Sequence, residues 1–107
     1  MKELGERLKV YVAGPYAQGD PVLNVRRAVL AGEEIVSLGH LPWIPHLNHL
    51  WHIIFPHEPD FWYEYDLQWL GSCDVLLRIP GNSPGADREV AFAERHGIKV
   101  VYDVKDI

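Results

Sequence analysis

The stretch D-V-L-L-R-I-P-G-N-S-P-G-A-D-R-E-V-A-F-A-E-R-H-G-I-K-V-V-Y, Asp74–Tyr102, decides the fold. Asp74–Ile79 is a short run of branched apolar residues, the composition of a buried strand. Gly81–Pro84 turns the chain, and Ser83-Pro84 is a cap followed by proline at the first helical position. A helix follows to His96, Gly97 closes it, and Ile98–Tyr102 is strand-like again. A strand, a helix and a second strand joined this way make a βαβ unit, whose strands pair in parallel.

The same grammar extends upstream. Leu8–Ala13, L-K-V-Y-V-A, is short and apolar and stops at Gly14-Pro15, which predicts another buried strand. Asp20-Pro21 repeats the cap-plus-proline signal, and the helix it starts runs to about Leu38, with Gly39 beyond it. Val22, Val25, Ala28, Val29, Ile35 and Val36 form its expected apolar face. Leu41–Ile44 is a further short strand. Pro45–Pro59 holds three prolines, four histidines and Trp51; it is irregular or weakly helical, and reads as a loop or lid. Asp60 is the expected cap of a helix reaching about Gly71.

These elements predict one domain. It is a flavodoxin- or Rossmann-like three-layer α/β sandwich with a four- to five-stranded parallel sheet in the order 2-1-3-4. Ligands in such sheets bind beyond the carboxyl ends of the strands. Gly14–Asp20, Pro45–Pro59 and Gly81–Glu89 gather there.

The chain has 107 residues and is 48% apolar, enough for one core. Its formal charge of −5 and lack of a long basic run argue against a nucleic-acid polymer or an anionic membrane as partner. Local dipoles and one or two arginines still suffice for a small anion. With Cys73 as the lone cysteine, neither an intrachain disulfide nor a cysteine-based zinc site can form. Met1–Lys9 is charged rather than apolar, unlike a signal peptide. A cytoplasmic enzyme or small binding domain is expected.

Several residues could carry chemistry. Ser83 caps a helix whose first N–H groups and dipole suit an anion, and Gly85 admits close backbone approach. The same pattern fits an ordinary N-cap. Glu89 lies beside the stripe that packs on the sheet, one and a half turns into that helix. It reads as a carboxylate reaching the ligand or as a solvated one paired with Arg88 or Arg95. Asp66 shares a helix face with Trp62, Trp69 and Leu70, where an acid should be raised in pKa and able to donate a proton near neutrality. Otherwise it sits at the wet edge of an aromatic patch. Tyr11 is placed to meet a carboxylate at the strand's end, or is a core tyrosine with some other partner. His46, His49, His52 and His57 lack a strict metal-ligand motif, so no metal and no cofactor is expected. Cys73 reads as a packing residue.

Taken together, V-Y-V-A-G-P-Y (Val10–Tyr16), Asp66 followed eight residues later by Asp74, and S-P-G-A-D-R-E-V-A-F-A (Ser83–Ala93) with G-I-K-V-V after it resemble the nucleoside 2-deoxyribosyltransferase superfamily. That superfamily includes nucleoside 5′-monophosphate N-hydrolases and small bacterial and phage members. The resemblance covers most of residues 1–107 and is weakest in the lid. The helix start reads G-A-D-R-E where the family more often has G-x-G-x-E. Its transferases often carry a further C-terminal segment that completes a neighbour's site, whereas this sequence ends soon after the fourth predicted strand.

The resemblance implies roles. Glu89 falls at the nucleophile, Asp66 at the acid that protonates the leaving base, and Tyr11 at the tyrosine that orients the nucleophile. Ser83 falls at the contact to the 5′ end of the sugar. Gly14, Pro15, Tyr16, Gly85, Trp62 and His46 are the remaining candidates for substrate binding, with Arg26, Arg27 and Arg88 as helpers. Family transferases acting on free nucleosides tend to carry an acid at position 83, and hydrolases of nucleoside monophosphates a serine. A carboxylate repels a phosphate and a serine does not. The leading expectation is therefore cleavage of the N-glycosidic bond of (deoxy)nucleoside 5′-monophosphates. Base exchange between deoxynucleosides is a second reading, and a non-catalytic nucleotide-binding domain a third. Trp51, Phe61 and Trp62 are expected in a lid, in the contact of a homodimer or larger homo-oligomer, or in both.

Overall fold

Val10 and Val12 point to one face of the sheet and Tyr11 and Ala13 to the other, and all four are buried. That period-two alternation, buried on both sides, is what makes the protein a three-layer sandwich. The computed structural model describes residues 7–107, so most of the charged segment Met1–Lys9 lies outside the described residues.

The elements are β1 (Lys9–Ala13), α1 (Pro21–Ser37), β2 (Leu41–Trp43), α2 (Asn48–Ile54), α3 (Pro59–Leu70), β3 (Val75–Arg78), α4 (Pro84–Arg95) and β4 (Lys99–Val101). Short 3-10 turns at Pro45–Leu47 and Val104–Asp106 complete the path. The sheet has four strands in the predicted order β2-β1-β3-β4, all parallel. Below it, Val10, Val12, Val75 and Leu77 pack on Ala28, Ala31 and Ile35 of α1. Above it, Tyr11, Ala13 and Leu76 pack on Leu70, Ala86 and Ala93 of α3 and α4.

Two helix starts follow the sequence signals. The Asp20 side chain accepts from the N–H groups of Val22 and Leu23, and Ser83 accepts from Ala86 N–H at 3.1 Å. Each is followed by proline, whose missing N–H costs nothing at the first helical position.

Two expectations need correction, and a third is narrowed. Asp60 does not cap α3: the helix begins at Pro59, and the extended Glu58 precedes it without a side-chain cap. The proline's fixed φ starts the helix there. Of the two readings of Pro45–Pro59, the weakly helical one holds over Asn48–Ile54, because the prolines flank rather than interrupt the two turns of α2. The apolar face of α1 is also rotated from the one read from sequence. Val22 and Val36 are 68% and 54% exposed, while Asn24, Ala31 and Gly32 join Ala28 and Ile35 inside. Small residues let α1 approach the sheet, and a Cβ on Gly32 would stand 2.6 Å from Ile44 Cδ1.

Beyond β1, Gly14 lies against the Ile79 side chain, and a Cβ there would stand 2.1 Å from Ile79 Cγ1. Gly81 has φ +123° and would bring a Cβ within 2.6 Å of Pro15 Cγ. Both contacts bring the loops after β1 and β3 together. Gly14→Ala should therefore lower stability by about 1–3 kcal/mol in denaturant unfolding. Combining it with Ile79→Ala, which makes room, should cost less than the sum of the two single changes.

Candidate active site

The loops after β1 and β3, the 3-10 turn, α2 and the facing sides of α3 and α4 enclose a cleft of about 450 Å³. This is within the range of roughly 300–1,000 Å³ typical of small-molecule sites.

Glu89 lines the cleft from the second turn of α4. Its Oε2 accepts a hydrogen bond from the Tyr11 hydroxyl. Tyr11 is 0% exposed, in the middle of β1. Burial, then the charges of Glu89 and Asp66, push the phenol well above its ordinary value. It therefore stays protonated and acts as a donor. Neither alternative partner for Glu89, Arg88 or Arg95, takes that place.

Asp66 faces the same cleft from α3, and Asn48 Nδ2 of α2 donates to its Oδ1 at 3.0 Å. Burial, reinforced by the charge of Glu89, raises the Asp66 carboxyl from 3.8 to about 7, although the Asn48 bond acts against this. Burial also raises Glu89 from 4.5 to about 7, opposed by the Tyr11 hydrogen bond and the charges of Arg88 and Arg78. Two carboxyl groups in one poorly solvated cleft hold protons more tightly than either would in water. Their surroundings are unequal. Glu89 has a strong donor and two arginines supporting its anion, and Asp66 has one amide. The anion is better supported on Glu89 and the proton on Asp66.

The other predicted residues fall as follows. Gly14, Tyr16, Ser83, Gly85, Trp62 and His46 line the cleft. Pro15 does not line it, but its carbonyl meets His46 Nε2 at 3.0 Å. His46 is 4% exposed, and burial lowers its pKa despite the Pro15 and Gly14 carbonyls. It is thus a neutral imidazole with its proton on Nε2, leaving Nδ1 as a buried acceptor without a recorded partner. The Tyr16 hydroxyl bonds His49 Nδ1, and Trp62 Nε1 donates to His52 Nδ1 at 2.8 Å. These histidines face separate partners, and among the described residues no three His, Cys, Asp or Glu side chains converge as a metal-ligand group.

Arg26 and Arg27 lie outside the cleft on α1, where Arg27 Nη1 reaches Asn24 Oδ1 at 3.4 Å; of the three suggested helpers only Arg88 lines it. Trp51, from the lid, does not line it either and packs edge-on against Trp62 and Tyr65.

Two supporting residues escaped the sequence reading. Asn48 becomes visible only once α2 is recognised as a helix. Arg78 ends β3 and donates to the carbonyls of Ile79 and Gly81 and to Asp87, at 2.9 Å for the last two, pinning the loop that carries Ser83. Its signal was an arginine inside an otherwise apolar strand.

The fold and cleft define a single-domain α/β protein with a parallel four-stranded sheet and a cleft beyond the carboxyl ends of its central strands. Within that class the chain belongs to the family described as a domain of unknown function, DUF7768, whose pattern matches residues 8–103. No curated protein matches the chain. Among solved structures it is similar to a 2-deoxyribosyltransferase from the psychrotolerant bacterium Bacillus psychrosaccharolyticus, with 22% identity, 86% of this chain and 69% of that chain covered, and a TM-score of 0.63. At this identity the likeness is one of fold. No described helix is long and apolar enough to cross a membrane.

The raised carboxyl values carry a sign. With Asp66 and Glu89 moved from 3.8 and 4.5 to about 7, the folded protein holds more protons than the unfolded chain between those limits. Stability from the pair is present at the acid end and lost as pH rises through about 7. Unfolding free energy measured from pH 4 to pH 8 should fall, and Asp66→Asn should flatten the slope. Tyr11→Phe, which removes a donor, should move Glu89 further up in a carboxyl NMR titration.

Proposed function

We propose that the protein cleaves the N-glycosidic bond of (deoxy)nucleoside 5′-monophosphates, with Glu89, Asp66 and Tyr11 as its catalytic group. The observation that carries this reading is the pairing of a tyrosine-held Glu89 with Asp66 across one cleft, beside the Ser83-capped start of α4.

Glu89 as carboxylate attacks C1′ while the C1′–N bond breaks. Asp66 gives its proton to the departing base. Asn48 occupies Asp66 Oδ1, so Oδ2 is the oxygen free to carry that proton. The product of the first step is a Glu89–C1′ ester. Water then attacks C1′, gives a proton to the Asp66 carboxylate, and releases the sugar phosphate and Glu89. This is the retaining two-carboxylate scheme, passing through an oxocarbenium-like transition state. It requires opposite protonation of the pair, which the unequal partners of Glu89 and Asp66 favour. A 2-deoxyribose reacts more readily, because a 2′-hydroxyl destabilises the developing cation. The Ser83 hydroxyl and the Gly85 N–H in the first turn of α4 receive the 5′ end of the sugar. Gly14, Tyr16, Gly85, Trp62 and His46 shape the rest of the pocket, and Pro15 acts through His46.

The fold likeness to a 2-deoxyribosyltransferase supports base exchange as a second reading. In it, the ester is captured by another base instead of water. A homodimer or larger homo-oligomer belongs to the same proposal. Leu50, Ile53, Ile54 and Phe55 on the outer side of α2 are exposed and apolar, the kind of surface another copy would cover.

A panel of nucleosides and 5′-nucleotides assayed for base release tests the reading. Glu89→Ala should reduce release by at least about a thousandfold, and wild-type rates in that variant would sink the assignment. Labelled adenine or cytosine entering product faster than free sugar appears would favour exchange. Because both carboxyl groups sit at about 7, kcat should follow a narrow bell centred near neutrality. A plateau from pH 5 to pH 9 would contradict the pairing.

A further inference from the structure

Among the described residues that line the cleft, Arg88 is the one lysine or arginine. Its guanidinium carbon lies 4.2 Å from the centroid of the Tyr63 ring. Tyr63 is on α3 and Arg88 on α4, so this cation–π contact bridges the helices that carry Asp66 and Glu89. The ion pairs of the described residues join Arg78 to Asp87 and Lys105 to Asp103, so Arg88 is not committed to a carboxylate. A guanidinium resting on a ring uses its face and leaves the N–H donors at its edge free for an anion.

Gly85 also lines the cleft and stands one turn before Arg88 on α4, at the i, i+3 spacing of helix neighbours. The Arg88 side chain is long enough to cover that turn. Its charge is already felt at Glu89. A phosphate monoester entering this cleft meets two carboxyl groups, and the dipole of α4 offsets only about half a charge. A bidentate arginine supplies the remaining compensation and fits phosphate geometry.

We infer that Arg88 is the specificity-determining residue that selects a sugar 5′-phosphate over a free 5′-hydroxyl, by presenting the N–H edge that the Tyr63 ring leaves free to a phosphate held beside Ser83 and Gly85. This rests on the nucleotide reading above and names the residue that enforces it. Tyr63 holds the arginine in place, so little ordering remains when the anion arrives.

The test is equilibrium binding by calorimetry in the Asp66→Asn background, which slows base loss. The probes are the four 2′-deoxynucleosides, their 5′-monophosphates, and inorganic phosphate. The parent should bind at least one 5′-monophosphate about tenfold or more tightly than its nucleoside. Arg88→Gln should bring that ratio to within about twofold with nucleoside affinity unchanged, and Arg88→Lys should restore part of it. Inorganic phosphate should displace the nucleotide but not the nucleoside. Equal losses for nucleoside and nucleotide, no preference in the parent, or no binding of either would overturn the inference. Preference for nucleotides that Arg88→Gln removes, without base release by the wild-type protein, would keep the inference and sink the glycosidase reading. Base release with equal affinity for both ligand classes would do the reverse. Arg88 is exposed, so its variants should keep the wild-type circular dichroism spectrum.

Discussion

The hydrogen bond from Tyr11 to Glu89 is the constraint on which the rest of the site depends. Its donor is in the central part of the sheet and its acceptor on a helix above it. Tyr11 cannot swing, because β1 is hydrogen-bonded on both sides and the Tyr11 side chain is fully buried. The phenol cannot easily ionise, because burial and two nearby carboxyl groups oppose it. Glu89 is therefore held by a group that is fixed in place and in protonation state. Glu89 shares α4 with the Ser83 cap, so the bond also ties that helix to the sheet.

Around that bond the cleft is built from unlike walls. The α4 side brings a helix N-terminus, Glu89 and Arg88. The α3 side brings Asp66, Trp62 and Tyr63. Between them, poor solvation strengthens every charge interaction. Small differences in partners then decide which carboxyl keeps a proton, which is why Asn48 and the two arginines matter although none is expected to react.

Much of this was legible in the residues. The strand Val10–Ala13 announced burial on both faces, and Asp20-Pro21 and Ser83-Pro84 marked helix starts that rest on local hydrogen bonds. The strand order 2-1-3-4 is that of a flavodoxin-like doubly wound sheet with helices on both faces. Glu89 and Asp66 could be nominated, but spacing alone allowed each a solvated alternative; their meeting across the cleft is a tertiary fact. What stayed hidden depended on tertiary packing or on weak local signals. Val22 and Val36 are apolar yet exposed, because closeness between α1 and the sheet favours small residues over large ones. The start of α3 at Pro59 was masked by a better capping residue, Asp60, one position on. The helix α2 has only two turns, below the length at which periodicity speaks.

That short helix has a consequence for access to the cleft. None of its residues is buried, and isolated helices of this length do not persist in water. It is held over the cleft by contacts such as Asn48 to Asp66 and His49 to Tyr16. Strands and main helices need not move for it to lift. Access to the cleft is thereby separated from the global unfolding of the domain, because opening a short, exposed element locally costs less than unfolding the whole. Protonation of Asp66 weakens what Asn48 can hold, so the chemical state of the site and the position of its cover are linked through one amide.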